Sequence, residues 1–114
     1  MTAWHPVCCA AAVGNIKAIE EGKLVETCEE KGVLLESLLS HSSIVEVRRI
    51  GMMFAVEFES SDLVYKIVDK CLEKGVIAFY FLSCPESFRL APPLTISEEE
   101  LRIAAKAINE AIEE

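Results

Sequence analysis

The first part of the chain follows a helical pattern of apolar and polar positions. The run from Pro6 to Glu21 is rich in alanine and then acidic, and Gly22 stands where a helix can end. Pro6 suits the first turn of a helix, where its missing N–H is no loss. In the next stretch apolar side chains recur about every 3.6 residues, the period of a helix with one buried face. We therefore predict a second helix whose apolar positions are Leu24, Cys28, Leu35, Leu38 and Leu39.

The pattern changes to a period of two after Ile44. A short run, "IVEVRRI", ends at Gly51, and a longer alternating run follows it. Neighbouring residues of a strand point to opposite faces of the sheet, so this alternation predicts strands. A bulge or a tight connection at Gly51 fits two paired strands. In the longer strand Phe54, Val56 and Phe58 alternate with Met53, Ala55 and Glu57.

A third helix and two further strands follow. The segment "SSDLVYKIVDKCLEKG" has Ser61 or Asp62 as a candidate N-cap and Gly75 at its end. The aromatic and branched run "VIAFYFL" predicts a strand, "SCPE" a turn, and "SFRLA" another short strand. The predicted apolar stripe of the third helix comprises Leu63, Ile67, Val68, Cys71 and Leu72.

The fourth helix has the clearest start signal in the chain. Ser97 and Glu100 have the spacing of a capping box, in which each side chain accepts a hydrogen bond from the other residue's backbone N–H. Ile96 and Leu101 are placed as the hydrophobic staple that often accompanies such a box. The predicted buried face comprises Leu101, Ala104, Ala105, Ile108, Ala111 and Ile112.

The element order α-α-β-β-α-β-β-α predicts an α+β fold. We expect one domain over residues 1–114, with a small, mostly antiparallel sheet and helices packed on one face of it. The other face of this sheet is not very polar. An exposed apolar sheet face usually marks a missing partner. The residues expected on or near this open face are Met53, Ala55, Phe79 and Phe81.

Charge and hydropathy narrow the range of partners. The net charge is -8, whereas nucleic acids and anionic lipids require a positive surface, so we expect neither as a partner. No apolar run approaches the roughly 18 residues that a membrane span needs. The N-terminal sequence "MTAWHPVCC" lacks a signal-peptide pattern, and we expect a cytoplasmic protein.

The cysteines and histidines predict neither a disulfide framework nor a metal site. The five cysteines are an odd number without a CxxC motif, which favours buried, reduced thiols. His5 and His41 are far apart in sequence, and neither has a cysteine or aspartate at ligand spacing.

Arg89 is the candidate functional residue. It lies between Phe88 and Leu90 in a predicted strand, so its side chain points to the face opposite theirs. Pro92 and Pro93 then end the strand, which predicts that Arg89 stands near a sheet edge. A guanidinium fixed there is shaped to hold a carboxylate by two parallel hydrogen bonds. From the residues alone, a structural ion pair with one of the many acidic side chains is the commoner role of such an arginine.

Four pieces of the chain, in order, resemble one enzyme family. The segments "GVIAFYFL" and "FRLAPPLTISEEEL" are similar to the closing region of class III aminotransferases, which depend on pyridoxal phosphate and include the ornithine, acetylornithine and 4-aminobutyrate enzymes. The segment "HPVCCAAAVGNIKAIEEGKLVE" resembles the family's Asn/His-Pro pair and Ala-rich helix. The segment "VEVRRIGMMFAVEF" resembles its Val-Arg-Gly-x-Gly-Leu-Met strand pair. The resemblance covers nearly the whole chain, from about His5 to about Glu113.

The resemblance implies the C-terminal small domain of a fold-type-I enzyme that transfers an amino group between an amino acid or amine and a 2-oxo acid. In this family the arginine of "R-x-A-P-P-L", here Arg89, binds the α-carboxylate of the substrate. The open sheet face would then pack on the large domain of the same enzyme, and the enzyme would be a homo-oligomer, typically a dimer. The amino donor and acceptor are not indicated, because the family's specificity residues lie largely upstream.

The cofactor site of the family is expected outside this chain. The chemistry requires a lysine that forms a Schiff base with pyridoxal phosphate and an acidic partner for the pyridine nitrogen, and the family has both in the large domain. We therefore expect no catalytic residue, no bound cofactor and no activity in this chain alone. All the lysines fall on predicted helices, and we expect them on solvent-exposed faces; they are Lys17, Lys23, Lys31, Lys66, Lys70, Lys74 and Lys106.

The chain also departs from the family. Met1 stands where a threonine usually contacts the cofactor phosphate of the neighbouring subunit, and Thr2 is one position off. Trp4 replaces a small glycine, and we expect its ring to anchor the first helix. Ile50 replaces the usual glycine in "RRIG". The phosphate contact is accordingly not assigned to this chain.

Two other interpretations of the chain do not involve an enzyme. One is a non-enzymatic α+β module of ferredoxin-like type whose open sheet face dimerises or holds a small ligand. The other is a folded structural fragment without a ligand. A large domain with a Schiff-base lysine, encoded upstream, would favour the aminotransferase over both.

Overall fold

The structure, a computed structural model, describes residues 5–114 of the chain. The expectations for Met1, Thr2 and Trp4 lie outside the described residues. The elements follow the predicted order α-α-β-β-α-β-β-α. They are α1 (Pro6–Glu21), α2 (Leu24–Leu38), β1 (Glu46–Ile50), β2 (Met53–Glu57), α3 (Ser61–Glu73), β3 (Phe79–Tyr80), β4 (Ser87–Leu90) and α4 (Glu98–Glu113).

The strands form one sheet in the order β1-β2-β4-β3, and all neighbouring strands are antiparallel. This arrangement confirms the predicted α+β fold with an antiparallel sheet. Ile50 pairs with Met53, so β1 and β2 are joined by a two-residue loop. Gly51, the first loop residue, has a φ of 55°, which glycine adopts without steric cost. Of the two predicted possibilities at Gly51, a bulge or a tight connection, the structure has the tight connection.

The core lies between one face of the sheet and helices α2, α3 and α4. Phe88 of β4, Val56 of β2, Leu101 of α4 and Val64 of α3 are all fully buried in this core. Burial of a side chain of this size contributes about 1.5–3 kcal/mol, so this layer accounts for much of the domain's stability.

The start of α4 matches the prediction from its sequence. Ser97 Oγ accepts a hydrogen bond from the Glu100 N–H at 3.2 Å, and the Glu100 carboxylate accepts one from the Ser97 N–H at 2.8 Å. These two bonds complete the capping box. Leu101 is buried and Ile96 packs against the core, as a hydrophobic staple requires.

Two predictions for α3 are wrong. Its N-cap is Ser60, not Ser61 or Asp62, because the extended backbone of Ser60 lets its hydroxyl accept the N–H of Leu63. Leu72 is 62% exposed, whereas Val64 is fully buried. The buried stripe therefore runs through Val64, Ile67 and Cys71, at spacings of three and four residues.

Strand β3 is shorter than "VIAFYFL" predicts. Phe79 and Tyr80 pair with β4, and the Phe81 N–H donates to Ser87 O at 3.1 Å directly after them. The N–H of Val76 instead donates to Cys71 O, as part of the turn that leaves α3. The strand lies at the end of the sheet and has a neighbour on one side only, so pairing is limited to the stretch that faces the four residues of β4.

Helix α1 packs against α2 and contains no buried residue. The radius of gyration is 16.2 Å, whereas a compact chain of this length has one of about 13 Å. The prediction of buried thiols is therefore wrong for Cys8 and Cys9, which are exposed on α1. Cys71 is buried, and this burial raises the pKa of its thiol to about 11.

Candidate functional site

Arg89 lies on the open face of the sheet, the face opposite the helices. Its neighbours Phe88 and Leu90 are 0% and 5% exposed and point into the core, whereas Arg89 is exposed. The predicted orientation is confirmed. The predicted position near a sheet edge is wrong, because β4 is an inner strand with β2 on one side and β3 on the other. The chain alone could not show this, since strand order depends on contacts between distant segments.

Four residues form one row across the open face. Arg48 of β1 pairs with Ala55 of β2, Ala55 pairs with Arg89, and Arg89 pairs with Phe79 of β3. Directly opposite residues of paired strands share a face. Since neighbouring strands are about 4.8 Å apart, the two arginine positions in this row are separated by about 10 Å.

Carboxylates neutralise the two arginines of β1. Arg48 forms ion pairs with Glu46, at 2.6 Å, and with Glu57. The hydrogen bonds to Glu57 and then Glu46 raise the pKa of Arg48 above its ordinary value. Arg49 is bound by Glu36 at 2.6 Å and Glu29 at 2.9 Å, which raises its pKa in the same direction.

Arg89 differs from both. Across residues 5–114, no carboxylate forms an ion pair with it, although the chain contains 19 acidic residues. Its Cζ atom instead lies over the ring of Phe79, 5.8 Å from the ring centroid. The alternative of a structural ion pair therefore has no partner in the described part of the chain. The guanidinium keeps its charge and its N–H donors available to an external anion.

A shallow groove of about 270 Å³ runs along the open face beside Arg89. Met53, Ala55 and Phe81 contribute to its apolar wall, as predicted, and Met53 is 65% exposed. Phe79 is 57% exposed at the far side of Arg89. The groove thus combines an apolar wall with one guanidinium that has no acidic partner among the described residues, which suits an anionic group attached to an apolar body.

The loop that follows Arg89 is held by α2. The ammonium group of Lys31 donates a hydrogen bond to the Leu94 carbonyl at 2.8 Å, across 63 positions of sequence. Lys31 is half-buried, so the prediction that it belongs to a solvated face is wrong. The sequence reasoning missed this contact because the pattern of α2 assigns Lys31 to a polar position without showing what lies beside it.

A second cavity, of about 500 Å³, lies beside the same loop, between α2, α4 and the ends of β3 and β4. Its lining is mainly apolar and includes Leu35, Pro92 and Leu101, together with Phe79 and Arg89. Arg89 therefore borders two spaces, this cavity and the open groove.

The groove does not contain the groups that hold pyridoxal phosphate. That cofactor needs a lysine for its Schiff base and an acidic partner for its ring nitrogen. The residues that line the groove include no lysine, aspartate or glutamate. Lys70 and Lys74 are instead bound to Glu114. The described residues thus fit a carboxylate-binding surface, and they do not fit a complete cofactor site.

Residues 5–114 contain neither a metal-binding cluster nor a membrane-spanning helix. No group of three or more histidine, cysteine, aspartate or glutamate side chains is placed to hold a metal ion. None of the helices in that range is both long enough and apolar enough to cross a membrane.

The sequence matches the family model described as "Aminotransferase class-III" over residues 3–112. The acetylornithine aminotransferase of Methanosarcina mazei is 36% identical over 111 residues, which cover 93% of this chain and 27% of the relative. The acetylornithine aminotransferase of Haemophilus ducreyi is 30% identical over 110 residues, covering 96% of this chain and 27% of the relative. The chain thus spans about a quarter of the length of these relatives.

Solved structures match the fold over a similar share of their length. A Bacillus anthracis aminotransferase has a TM-score of 0.86 and 28% identity, covering 95% of this chain and 28% of that one. The ornithine aminotransferase from Toxoplasma gondii has a TM-score of 0.80 and 27% identity, covering 94% of this chain and 26% of that one. The predicted family resemblance is therefore confirmed by sequence and by fold.

Proposed function

The chain belongs to the class-III aminotransferases, and we propose that it is the C-terminal small domain of a pyridoxal-phosphate-dependent enzyme. This enzyme would move an amino group between an amino acid or amine and a 2-oxo acid. The family match and the curated acetylornithine aminotransferases support this activity. The relatives are about four times longer than the matched region, which leaves room for a cofactor-binding large domain.

We propose that Arg89 binds the α-carboxylate of the substrate. One observation supports this proposal most directly. The guanidinium is exposed on the open face and has no acidic partner among the described residues. A guanidinium presents parallel N–H donors that match the two oxygens of a carboxylate. Arg48, one row position beyond Ala55, is unsuited to this role because Glu46 and Glu57 already occupy it.

Pyridoxal phosphate supplies the electron sink for amino transfer when it is bound. We propose that the part of the enzyme outside this chain holds it, since the groove beside Arg89 lacks a lysine and an acidic residue. In this proposal, the small domain binds and orients the substrate carboxylate. The large domain supplies the Schiff-base lysine.

We further propose that the open sheet face packs on that large domain. The exposed side chains of Met53 and Phe79 support this, because large apolar groups clustered on one face favour a covered state. A homo-oligomeric enzyme located in the cytoplasm completes the proposal, by analogy with the family.

The experiment uses the holoenzyme, in which this chain is joined to its cofactor-binding domain. We expect Arg89→Ala to raise KM for an α-amino acid donor about ten- to a hundredfold, since a charge-assisted contact contributes about 1.5–3 kcal/mol. An amine donor without a carboxylate should be unaffected. Equal KM values for Arg89→Ala and the parent with the amino acid donor would exclude the carboxylate role. They would not affect the assignment to the class-III aminotransferases, because a measurable KM requires an active enzyme.

A further inference from the structure

Phe79 and Arg89 are neighbours on the open face by two independent measures. They are directly paired residues of β3 and β4, so both side chains leave the sheet on the same side. The Arg89 Cζ atom also lies 5.8 Å from the centroid of the Phe79 ring. At this distance the negative face of the ring attracts the guanidinium.

An aromatic neighbour can orient an arginine and leave its charge and its N–H donors available to a ligand. Glu46 and Glu57 fix Arg48, but they also occupy its N–H donors and cancel its charge. A ring attracts the cation through its π face and accepts none of the in-plane N–H groups that a carboxylate needs. Phe79 can therefore restrict the long Arg89 side chain while the edge of the guanidinium remains ready for a ligand.

We infer that Phe79 is a positioning residue for Arg89 and holds the guanidinium in the orientation that receives the substrate carboxylate. This inference rests on the function proposed for Arg89. It predicts that Phe79 affects the binding of substrates with an α-carboxylate and leaves other substrates unaffected, although Phe79 itself need not touch the carboxylate.

Tyr80 provides a matched control on the same strand. It pairs with Phe88 and therefore leaves the sheet on the opposite side from Phe79. Its ring packs edge-on against Tyr65, with ring centroids 4.9 Å apart. A substitution at Tyr80 thus removes an aromatic ring from β3 on the face of the sheet opposite Arg89.

The test compares Phe79→Leu, Phe79→Tyr and Tyr80→Leu in the holoenzyme. KM and kcat are measured with an α-amino acid donor and with an amine donor that has no carboxylate. Phe79→Leu should raise KM for the amino acid about two- to fivefold, the range of an exposed cation–π contact, and leave kcat and the amine KM unchanged. Phe79→Tyr should restore the parent KM because it keeps the ring. Tyr80→Leu should leave both KM values unchanged.

A double variant separates positioning from general packing. In an Arg89→Ala background, adding Phe79→Leu should cause no further change in KM. A further increase there, or an equal increase for both donors, would mean that Phe79 acts by packing, and the inference would be wrong. If Arg89→Ala raises KM and Phe79→Leu does not, only the positioning role is excluded. If Arg89→Ala itself has no effect, the function proposed for Arg89 has failed.

Discussion

Arg48 and Arg89 lie in the same row of the open sheet face, with Ala55 between them, and only Arg48 is paired with carboxylates among the described residues. The two arginines thus differ in their partners. Carboxylates neutralise the charge of Arg48, whereas Arg89 presents a guanidinium without a carboxylate partner beside an apolar groove. This contrast argues for a ligand at Arg89 more strongly than the exposure of either residue.

Substitution of Arg89 should separate binding from folding. Arg89→Ala should leave the thermal midpoint of the isolated chain nearly unchanged, because an exposed arginine contributes little stability. In the holoenzyme, Arg89→Lys should recover only part of the affinity for an amino acid, since an ammonium group cannot form the planar fork. Arg102→Ala is the matched control, because it removes an exposed arginine from α4 on the helix side. A large loss of melting temperature in Arg89→Ala with unchanged substrate affinity would show that Arg89 is structural.

The orientation of Arg89 could be predicted from its sequence, but its neighbours could not. Alternation between Phe88, Arg89 and Leu90 is a local property of a strand, so the face to which each points follows directly. The pairing with Ala55 and Phe79 depends on β4 lying between β2 and β3. That order is decided by packing of distant segments, and nothing in the sequence near Arg89 indicates it.

The helices also combine features that the sequence predicts with features that it does not. The capping box at Ser97 and Glu100 was predictable, because both partners lie within one turn. The cap of α3 was predicted at Ser61 or Asp62 and is Ser60, because each of these three adjacent residues has a side chain able to accept the same kind of hydrogen bond. The contact of Lys31 with the Leu94 carbonyl joins segments 63 positions apart, and no local pattern indicates it.

The isolated chain should be inactive as an aminotransferase. It should also fail to develop the absorbance of a lysine-linked cofactor when pyridoxal phosphate is added and then dialysed away. The reason is that no lysine lines the groove beside Arg89. An absorbance band that survives dialysis, and that is lost on substitution of a single lysine, would contradict this expectation.

The open face should drive weak self-association of the isolated chain. Burial of a few hundred Å² of apolar surface yields several kcal/mol at about 25 cal/mol per Å², and association itself costs at least about 4 kcal/mol. Sedimentation should therefore show a concentration-dependent dimer, which Met53→Glu should weaken. Ile103→Glu is the control, because Ile103 is 64% exposed on α4, away from this face. A monomer at all concentrations, or equal weakening by both substitutions, would argue against association through the open face.

Loss of the Lys31 contact should destabilise the domain. In Lys31→Met, the Leu94 carbonyl loses a part-buried, charged donor at 2.8 Å. A hydrogen bond to a charged group contributes about 1.5–3 kcal/mol, and partial exposure places the expected loss near the lower end of that range. Urea denaturation measures the change, with Lys66→Met on the exposed face of α3 as the control. Identical unfolding midpoints for the Lys31 and Lys66 variants would show that this contact adds no stability.

The capping box should make stability depend on pH in the acidic range. The hydrogen bond from the Ser97 backbone, followed by that from its hydroxyl, lowers the pKa of Glu100 below its ordinary value. A carboxyl group with a lowered pKa in the folded state contributes stability above its unfolded pKa of about 4.3, and this contribution is lost as the pH falls through the folded value. Glu100→Gln keeps an acceptor for the Ser97 N–H but has no charge. The variant should therefore be less stable than the parent at neutral pH, and the difference should shrink as the pH falls below about 4.3. Free energies of unfolding measured from pH 3 to pH 7 test this, with Glu99→Gln in the same helical turn as the control. A difference between parent and Glu100→Gln that stays constant across that range would show that the charge of Glu100 is not what stabilises the start of α4.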